Sequence, residues 1–291
     1  MSVVAIISFD PVSGAPTGWH LAAAESPQLL VTDLGVTRGD GIFETASLVE
    51  GHVQALDAHL ERLAQSARML DLPSPDLAVW RDAVQAVGRA LTAEGVAEGA
   101  IKLVLTRGVE GTRAPTGWVH GTAAPDFTRD RTEGVRIVLL DRGYRHDIPQ
   151  TAPWLLAGAK TLSYAVNRAA LREAARRGAD DVLFVSSDGY LLEGPTSTLV
   201  LRLGSRLVTP RIDLGILAGT TQADLFAWAA STGLSTGYEL LTRAELDSAD
   251  AAWLVSSVRH VAPIRAVDGT ERAIDAELTE RFNAALTART S

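Results

Sequence analysis

Apolar and polar positions along the chain change period several times, and each change predicts an element. Residues 3–8, 29–32 and 42–49 are short β-type runs. Leu60, Leu63, Ala67 and Leu70 recur at three- and four-residue spacing, which predicts a helix over 58–70 with Asp57 as its cap. Pro73 and Pro75 then break the chain, and a second helix is expected over 77–94. Residues 101–107 return to strand. The stretch 108–134 is polar and holds Gly and Pro, so it reads as a linker or an active-site loop.

The second half alternates in the same way. An apolar strand is expected over 135–140, and a helix over 164–177 with Gly178 past its end. Residues 181–186 and 190–193 flank Ser187-Asp188-Gly189, a hairpin signal, and 197–203 with 206–209 make a second hairpin around Gly204-Ser205. Helices are expected near 221–231 and 275–287, with a strand at 252–256 between them. Hairpin strands with interspersed helices predict an α+β fold with mixed sheets. At 291 residues the chain can bury a large core in two modest domains. The expected division is 1–120, a connecting loop at 121–134, and 135–291.

Composition narrows the class. A net charge of -8 argues against nucleic-acid binding, which needs a basic face for phosphates. The absence of cysteine excludes disulfides, thiol nucleophiles and thiolate metal sites, and no metal is expected. The opening Met-Ser-Val-Val-Ala-Ile-Ile-Ser has no basic flank, and its apolar run is too short for a signal or membrane helix. A cytoplasmic enzyme is the expectation.

Lysine usage is more informative. Of 27 basic residues only Lys102 and Lys160 are lysine, and the other 25 are arginine. A lysine kept against that bias suits chemistry that a guanidinium cannot do, above all imine formation, although chance survival accounts for it equally well. Lys102 lies in an expected strand, as an edge or face cation. Lys160 follows Leu156-Ala-Gly-Ala159, whose small residues leave room for a planar ligand near the backbone. Lys160 is the better candidate.

Three further features bear on an anionic, aromatic ligand. Glu193 ends an apolar strand before Gly194-Pro195, facing either water or a cation such as a protonated pyridine nitrogen. Gly219-Thr220-Thr221 precedes a helix, as a plain threonine cap or as an anion site of N–H groups and hydroxyls; Ser256 and Ser257 are possible further donors or ordinary turn residues. Arg62 flanks the apolar stripe of the first helix, where it either reaches a phosphate or lies along the surface.

Taken in order, these segments resemble one family. Gly39-Asp-Gly-Ile-Phe-Glu-Thr45, His59-Leu-Glu-Arg62-Leu63, Lys160-Thr-Leu-Ser-Tyr164, Glu193-Gly-Pro-Thr-Ser197 and Gly219-Thr-Thr221 are similar to the motifs of the class IV aminotransferases, fold-type IV pyridoxal phosphate enzymes. The resemblance runs from about residue 30 to residue 269. It implies a two-domain homodimer that binds pyridoxal 5′-phosphate between a small N-terminal and a larger C-terminal domain. It further implies that Lys160 forms the imine with the cofactor and that Glu193 opposes the pyridine nitrogen. Arg62, Thr220, Thr221 and Ser257 match positions that hold the phosphate, and Tyr164 matches a tyrosine against the phenolic oxygen. Gln222 departs from the arginine that many relatives carry there.

The resemblance leaves three reactions open. A D-amino-acid or (R)-amine transaminase, passing an amino group from a small donor to a 2-oxo acid, is preferred. A 4-amino-4-deoxychorismate lyase is second, and a branched-chain L-amino-acid transaminase, favoured by Tyr164, is third. Phe43 stands where D-amino-acid enzymes usually have tyrosine, and their Arg-x-His clamp is missing. Arg113 is a possible substitute, and Arg107 is either structural or substrate-binding.

Overall fold

Residues 2–290 are described by a computed structural model. Its chain forms two contact units. One runs to Pro125 and takes in Ala159–Tyr164 and the chain from Arg289; the other comprises Asp126–Gly158 and Ala165–Ala288. Each is taken by itself.

The first unit is built on an antiparallel sheet of order β2-β1-β6-β5-β3-β4. Its strands are β1 (Ser2–Phe9), β2 (Pro16–Ala22), β3 (Gly41–Val49), β4 (His52–Val53), β5 (Glu98–Thr106) and β6 (Thr116–Ala123). The helices are the short α1 (Leu34–Thr37), then α2 (Leu56–Met69) and α3 (Leu77–Ala93). On β3 the side chains of Ile42, Glu44, Ala46 and Leu48 are all fully buried, the period of two that puts them on one face. Leu60, Leu63 and Ala67 of α2 and Trp80, Val84, Val87 and Leu91 of α3 complete the core. Phe43 and Thr45 point the other way, sharing a face with Val104 and Lys102, their antiparallel partners on β5.

Four expectations change here. Residues 29–32 are a turn closed by Asp33 N to Leu30 O, and Asp33 spends its carboxylate capping α1 at Gly35 N. Asp57 lies inside the first turn of α2, paired with Arg81; the cap position is Ala55, in the left-handed region at φ 51°. The stretch 108–134 contains β6, an interior strand whose Val119 is fully buried, so its polar composition concealed an element. The contact boundary falls after Pro125, and residues 159–164 sit with the first unit rather than with the C-terminal span.

The second unit has a mixed sheet of order β11-β10-β9-β12-β13-β7-β8, with β14 beside β13. Its strands are β7 (Val135–Asp141), β8 (Asp181–Val185), β9 (Thr198–Leu203), β10 (Arg206–Pro210), β11 (Ser235–Glu239), β12 (Ala251–Ser256), β13 (His260–Val267) and β14 (Thr270–Glu271). The helices are α4 (Thr128–Thr132), α5 (Ile148–Thr151), α6 (Ala165–Arg176), α7 (Thr220–Ser231), α8 (Arg243–Ser248) and α9 (Ala276–Thr287). β7 and β8 are parallel, and so are β10 and β11. Leu225, Phe226, Leu278 and Phe282 from α7 and α9 pack with Val200, Leu207 and Trp253 on one side of the sheet. Ala170 and Ala174 of α6 cover Val138, Val182 and Phe184. Among the described residues no helix is long and apolar enough to cross a membrane.

Candidate active site

In the first unit the chemistry gathers on β3, α2 and the segment 159–164. Gly41–Phe43 is bonded on one side by β5, and the 160–162 backbone takes the other. Phe43 N donates to Lys160 O at 3.0 Å, and Leu162 N donates to Gly41 O at 2.8 Å. Lys160 N donates to Ser66 Oγ of α2 at 3.2 Å. The main chain on either side of the Lys160 amine is therefore fixed by two elements.

The side chain of Lys160 is half-buried, and its Nζ lies 4.7 Å from the centroid of the Phe43 ring. The negative face of an aromatic ring holds an ammonium at that distance. Lys102 Nζ lies 5.4 Å from the same centroid. Both lysines of the chain thus stand at one ring. Tyr164 meets that ring edge-on, with centroids 5.5 Å apart.

Beneath this ring, on the inward face of the sheet, is a buried charge cluster. Glu44 is fully buried and accepts from Arg62 Nε and Nη2, both at 2.7 Å. His59 Nδ1 donates to Glu44 Oε2 at 2.7 Å. Burial pushes the Glu44 carboxyl up, but the charge and hydrogen bonds of Arg62, with the bond from His59, outweigh it and hold the group at about 2. His59 is pushed down, chiefly by burial, so it stays neutral. Arg62 was expected either on a phosphate or along the surface. It is 8% exposed, with its fork on a carboxylate.

The second unit carries the other candidates. Glu193 leaves the hairpin in which Phe184 N donates to Glu193 O at 3.0 Å, and its Oε2 accepts from Leu217 N at 3.1 Å. Its carboxylate is therefore half-buried and oriented by a backbone donor. Gly219 is the N-cap of α7 in extended conformation, and Thr220 and Thr221 follow it, 8% and 3% exposed. A Cβ at Gly219 would lie 2.5 Å from Thr198 Oγ1, so only glycine fits this approach of helix to strand. Thr221 Oγ1 donates to Ser257 Oγ at 3.3 Å. Buried hydroxyls at a helix N-terminus suit a phosphate. Gln222 turns instead to the Tyr238 hydroxyl at 3.2 Å.

Of the substrate candidates, Arg107 is engaged in structure. Its Nε and Nη2 donate to Asp40 at 2.6 and 3.2 Å, and Nη2 and Nη1 donate to Leu70 O and Asp71 O at the end of α2. Arg113 is exposed on the loop before β6. Glu44, His59, Ser66 and Lys102 had been given no role at the site. Glu44 was legible in principle, because a carboxylate at the inward position of an alternating strand demands a buried cation.

The comparisons with known proteins agree in direction. The family description "Amino-transferase class IV" matches residues 41–267. A bifunctional aminodeoxychorismate lyase / D-amino acid transaminase of Mycobacterium tuberculosis is 45% identical over 251 residues, covering 84% of this chain and 87% of that protein. An aminodeoxychorismate lyase of Bacillus subtilis is 28% identical, covering 81% and 80%. Among solved structures, a fold IV-transaminase from Curtobacterium pusillum superposes with a TM-score of 0.95 at 53% identity and full coverage of both chains. A hypothetical aminotransferase of M. tuberculosis in a PLP-bound form gives a TM-score of 0.89 at 43% identity, covering 92% and 96%.

Proposed function

The chain belongs to the class IV aminotransferase family, a family of pyridoxal-phosphate-dependent enzymes, and from that premise we propose that it moves the amino group of a small D-amino acid or (R)-amine to a 2-oxo acid. The observation that carries this is Lys160: an amine against the Phe43 ring, on a backbone pinned to β3 and to Ser66.

The donor set supports pyridoxal phosphate as the cofactor. Lys160 supplies the amine for covalent attachment. Thr220, Thr221 and Ser257 supply hydroxyls for the phosphate, behind the Gly219 position that no side chain can occupy. Arg62 would add a positive charge, although its Nε and Nη2 are engaged by Glu44. Glu193 supplies a negative group for the pyridine nitrogen, and Tyr164 a hydroxyl for the phenolic oxygen. When bound, the cofactor acts as an electron sink that stabilises negative charge at the substrate α-carbon. The work of the chain would be proton handling: Lys160 Nζ would take the proton from the substrate α-carbon and hold it for return. Glu193, oriented by Leu217 N, would place its negative charge where it favours a protonated ring nitrogen.

A second reading, the lyase, is favoured by Lys102. Aminodeoxychorismate is a dicarboxylate, and a second ammonium at the Phe43 ring offers one of its carboxylates a partner. Elimination and transamination share the Lys160 proton transfer, so one protein can perform both. The expected partners are an amino donor and a 2-oxo acid, and the expected state is a cytoplasmic homodimer.

The test is to supply holoenzyme with D-alanine plus 2-oxoglutarate, and separately with aminodeoxychorismate. Formation of pyruvate and D-glutamate from the first mixture is expected; no amino transfer from any D-amino acid or (R)-amine would overturn the main reading. Lys102→Met should depress 4-aminobenzoate formation while sparing D-alanine transfer.

A further inference from the structure

The turn that carries Ser257 is held from outside by side chains with no role in the chemistry above. Residues 257–259 close the hairpin of β12 and β13, in which Ser256 faces His260. His260 is buried and sits in the left-handed region at φ 62°, a conformation that side-chain-bearing residues avoid. Such a turn needs support.

Arg131 of α4 provides it through the main chain. Its Nε donates to Arg259 O at 2.9 Å and its Nη2 to Val258 O at 3.1 Å, so one guanidinium spans two successive carbonyls. The side chain of Arg259 is held in turn. Its Nη2 donates to the buried Asp181 Oδ2 at 2.8 Å, and its Nη1 lies 3.6 Å from Asp130, the neighbour of Arg131 on α4. Two arginines and two aspartates thus lock the three residues by backbone and by side chain, with charges balanced.

Sheet stability alone is a weak reason for this lock. β12 is already bonded on both sides, by β9 and β13, and β13 by β12 and β7. What the lock does fix is the position of Ser257, whose hydroxyl meets that of Thr221 at 3.3 Å. Thr221 is 3% exposed and set in the first turn of α7, so it cannot follow a wandering turn. We propose that Arg131 and Arg259, with Asp130 and Asp181, are positioning residues that hold the 257–259 turn so that Ser257 and Thr221 present their hydroxyls together to the cofactor phosphate. The proposal rests on the reading that these two hydroxyls bind that phosphate.

The experiment resolves holoenzyme of its cofactor and back-titrates it with pyridoxal phosphate and with pyridoxal, which lacks the phosphate. Arg131→Met and Arg259→Lys should weaken pyridoxal phosphate by about tenfold and pyridoxal by less than about twofold, as Thr221→Ala and Ser257→Ala should. If the two arginine variants bind both ligands like wild type while the hydroxyl variants lose phosphate selectivity, the lock is idle and the phosphate reading stands. If Thr221→Ala and Ser257→Ala show no selectivity, the phosphate reading fails and the proposal falls with it. Equal weakening of both ligands by Arg131→Met would mark a merely structural turn and overturn the proposal. Should Arg131→Met fail to fold, Asp130→Asn carries the test, with a selective loss of about threefold expected and wild-type binding as the contrary result.

Discussion

Glu44 grips Arg62 by two edges of its guanidinium, Nε to Oε1 and Nη2 to Oε2, each at 2.7 Å, with both residues inside the first unit. The pair ties the inward face of β3 to α2 directly beneath the ring that holds Lys160. A buried ion pair of this kind is a weak source of net stability, but breaking it leaves an uncompensated charge. Glu44→Gln should therefore destabilise the protein by about 3–5 kcal/mol. Glu44→Gln combined with Arg62→Met should recover much of that loss, because the orphaned charge is gone. Urea unfolding of both variants checks this, and a double variant as unstable as the sum of its parts would contradict it.

The same cluster makes the fold acid-sensitive in a defined window. Glu44 is held at about 2 against an ordinary 4.5, so between those values the unfolded chain binds the extra proton. Its contribution is fully present above pH 4.5 and is lost as pH falls toward 2. A shift of that size corresponds to about 3 kcal/mol. His59, also lowered, adds a loss of the same sign that begins as pH falls through its ordinary 6.5. Urea midpoints measured from pH 7 to pH 3 should fall steadily in wild type. In Glu44→Gln the part below pH 4.5 should be largely missing.

How much of this was visible in the sequence depends on where the signal sits. Periodic elements were legible: 42–49 against β3 (Gly41–Val49), and 77–94 against α3 (Leu77–Ala93). β6 was not, because glycines at 117 and 121 leave only Trp118 and Val119 as large apolar residues, too few to show the alternation that marks a strand. Those glycines let α3 pack close; a Cβ at Gly121 would sit 2.5 Å from Val87. At the site, Lys160 stood out against an arginine-rich background. Its partner Lys102 was set aside as a strand cation, since nothing local shows that register across β3 and β5 brings it to Phe43. Contacts made by register or by a distant turn, as between Arg131 and Val258, leave no short motif.

Lys160→Arg separates charge from chemistry. Arginine keeps a cation at the Phe43 ring but cannot form the imine. The variant should unfold within about 1 kcal/mol of wild type, since that ring contact is partly solvent-facing. It should lose the visible absorption band and all turnover. A band or measurable amino transfer in this variant would remove Lys160 from its role.

Gly219→Ala tests the approach of α7 to β9. The new methyl group would meet Thr198 Oγ1 at 2.5 Å, and Thr198 is only 6% exposed in its strand, so the helix start must move instead. Overpacking of this kind costs about 1–3 kcal/mol, and the loss should appear as weaker cofactor binding by about tenfold or more. Thr198→Ala removes the clashing oxygen, leaving Thr198 Cβ at an ordinary 3.4 Å. Gly219→Ala/Thr198→Ala should then bind pyridoxal phosphate more tightly than Gly219→Ala alone. No rescue would mean that the glycine serves something other than this contact.

Glu193→Gln asks whether the carboxylate acts by charge or by shape. In the folded protein Glu193 Oε2 accepts from Leu217 N at 3.1 Å, a bond that a glutamine carbonyl oxygen can also accept. The substitution therefore leaves the 217 backbone anchored and removes only the negative charge. If that charge keeps the pyridine nitrogen protonated, its loss costs the electron sink while the phosphate and Lys160 still hold the cofactor. Preorganised electrostatic contacts of this type are worth about 3 kcal/mol at the transition state, or roughly a hundredfold in rate. The expected result is a cofactor dissociation constant within about threefold of wild type, with α-proton removal slowed about a hundredfold in single-turnover traces. The slowing should persist at saturating substrate, because it arises after binding. Unchanged single-turnover kinetics would place the Glu193 charge away from the ring nitrogen and leave it only the Leu217 anchor.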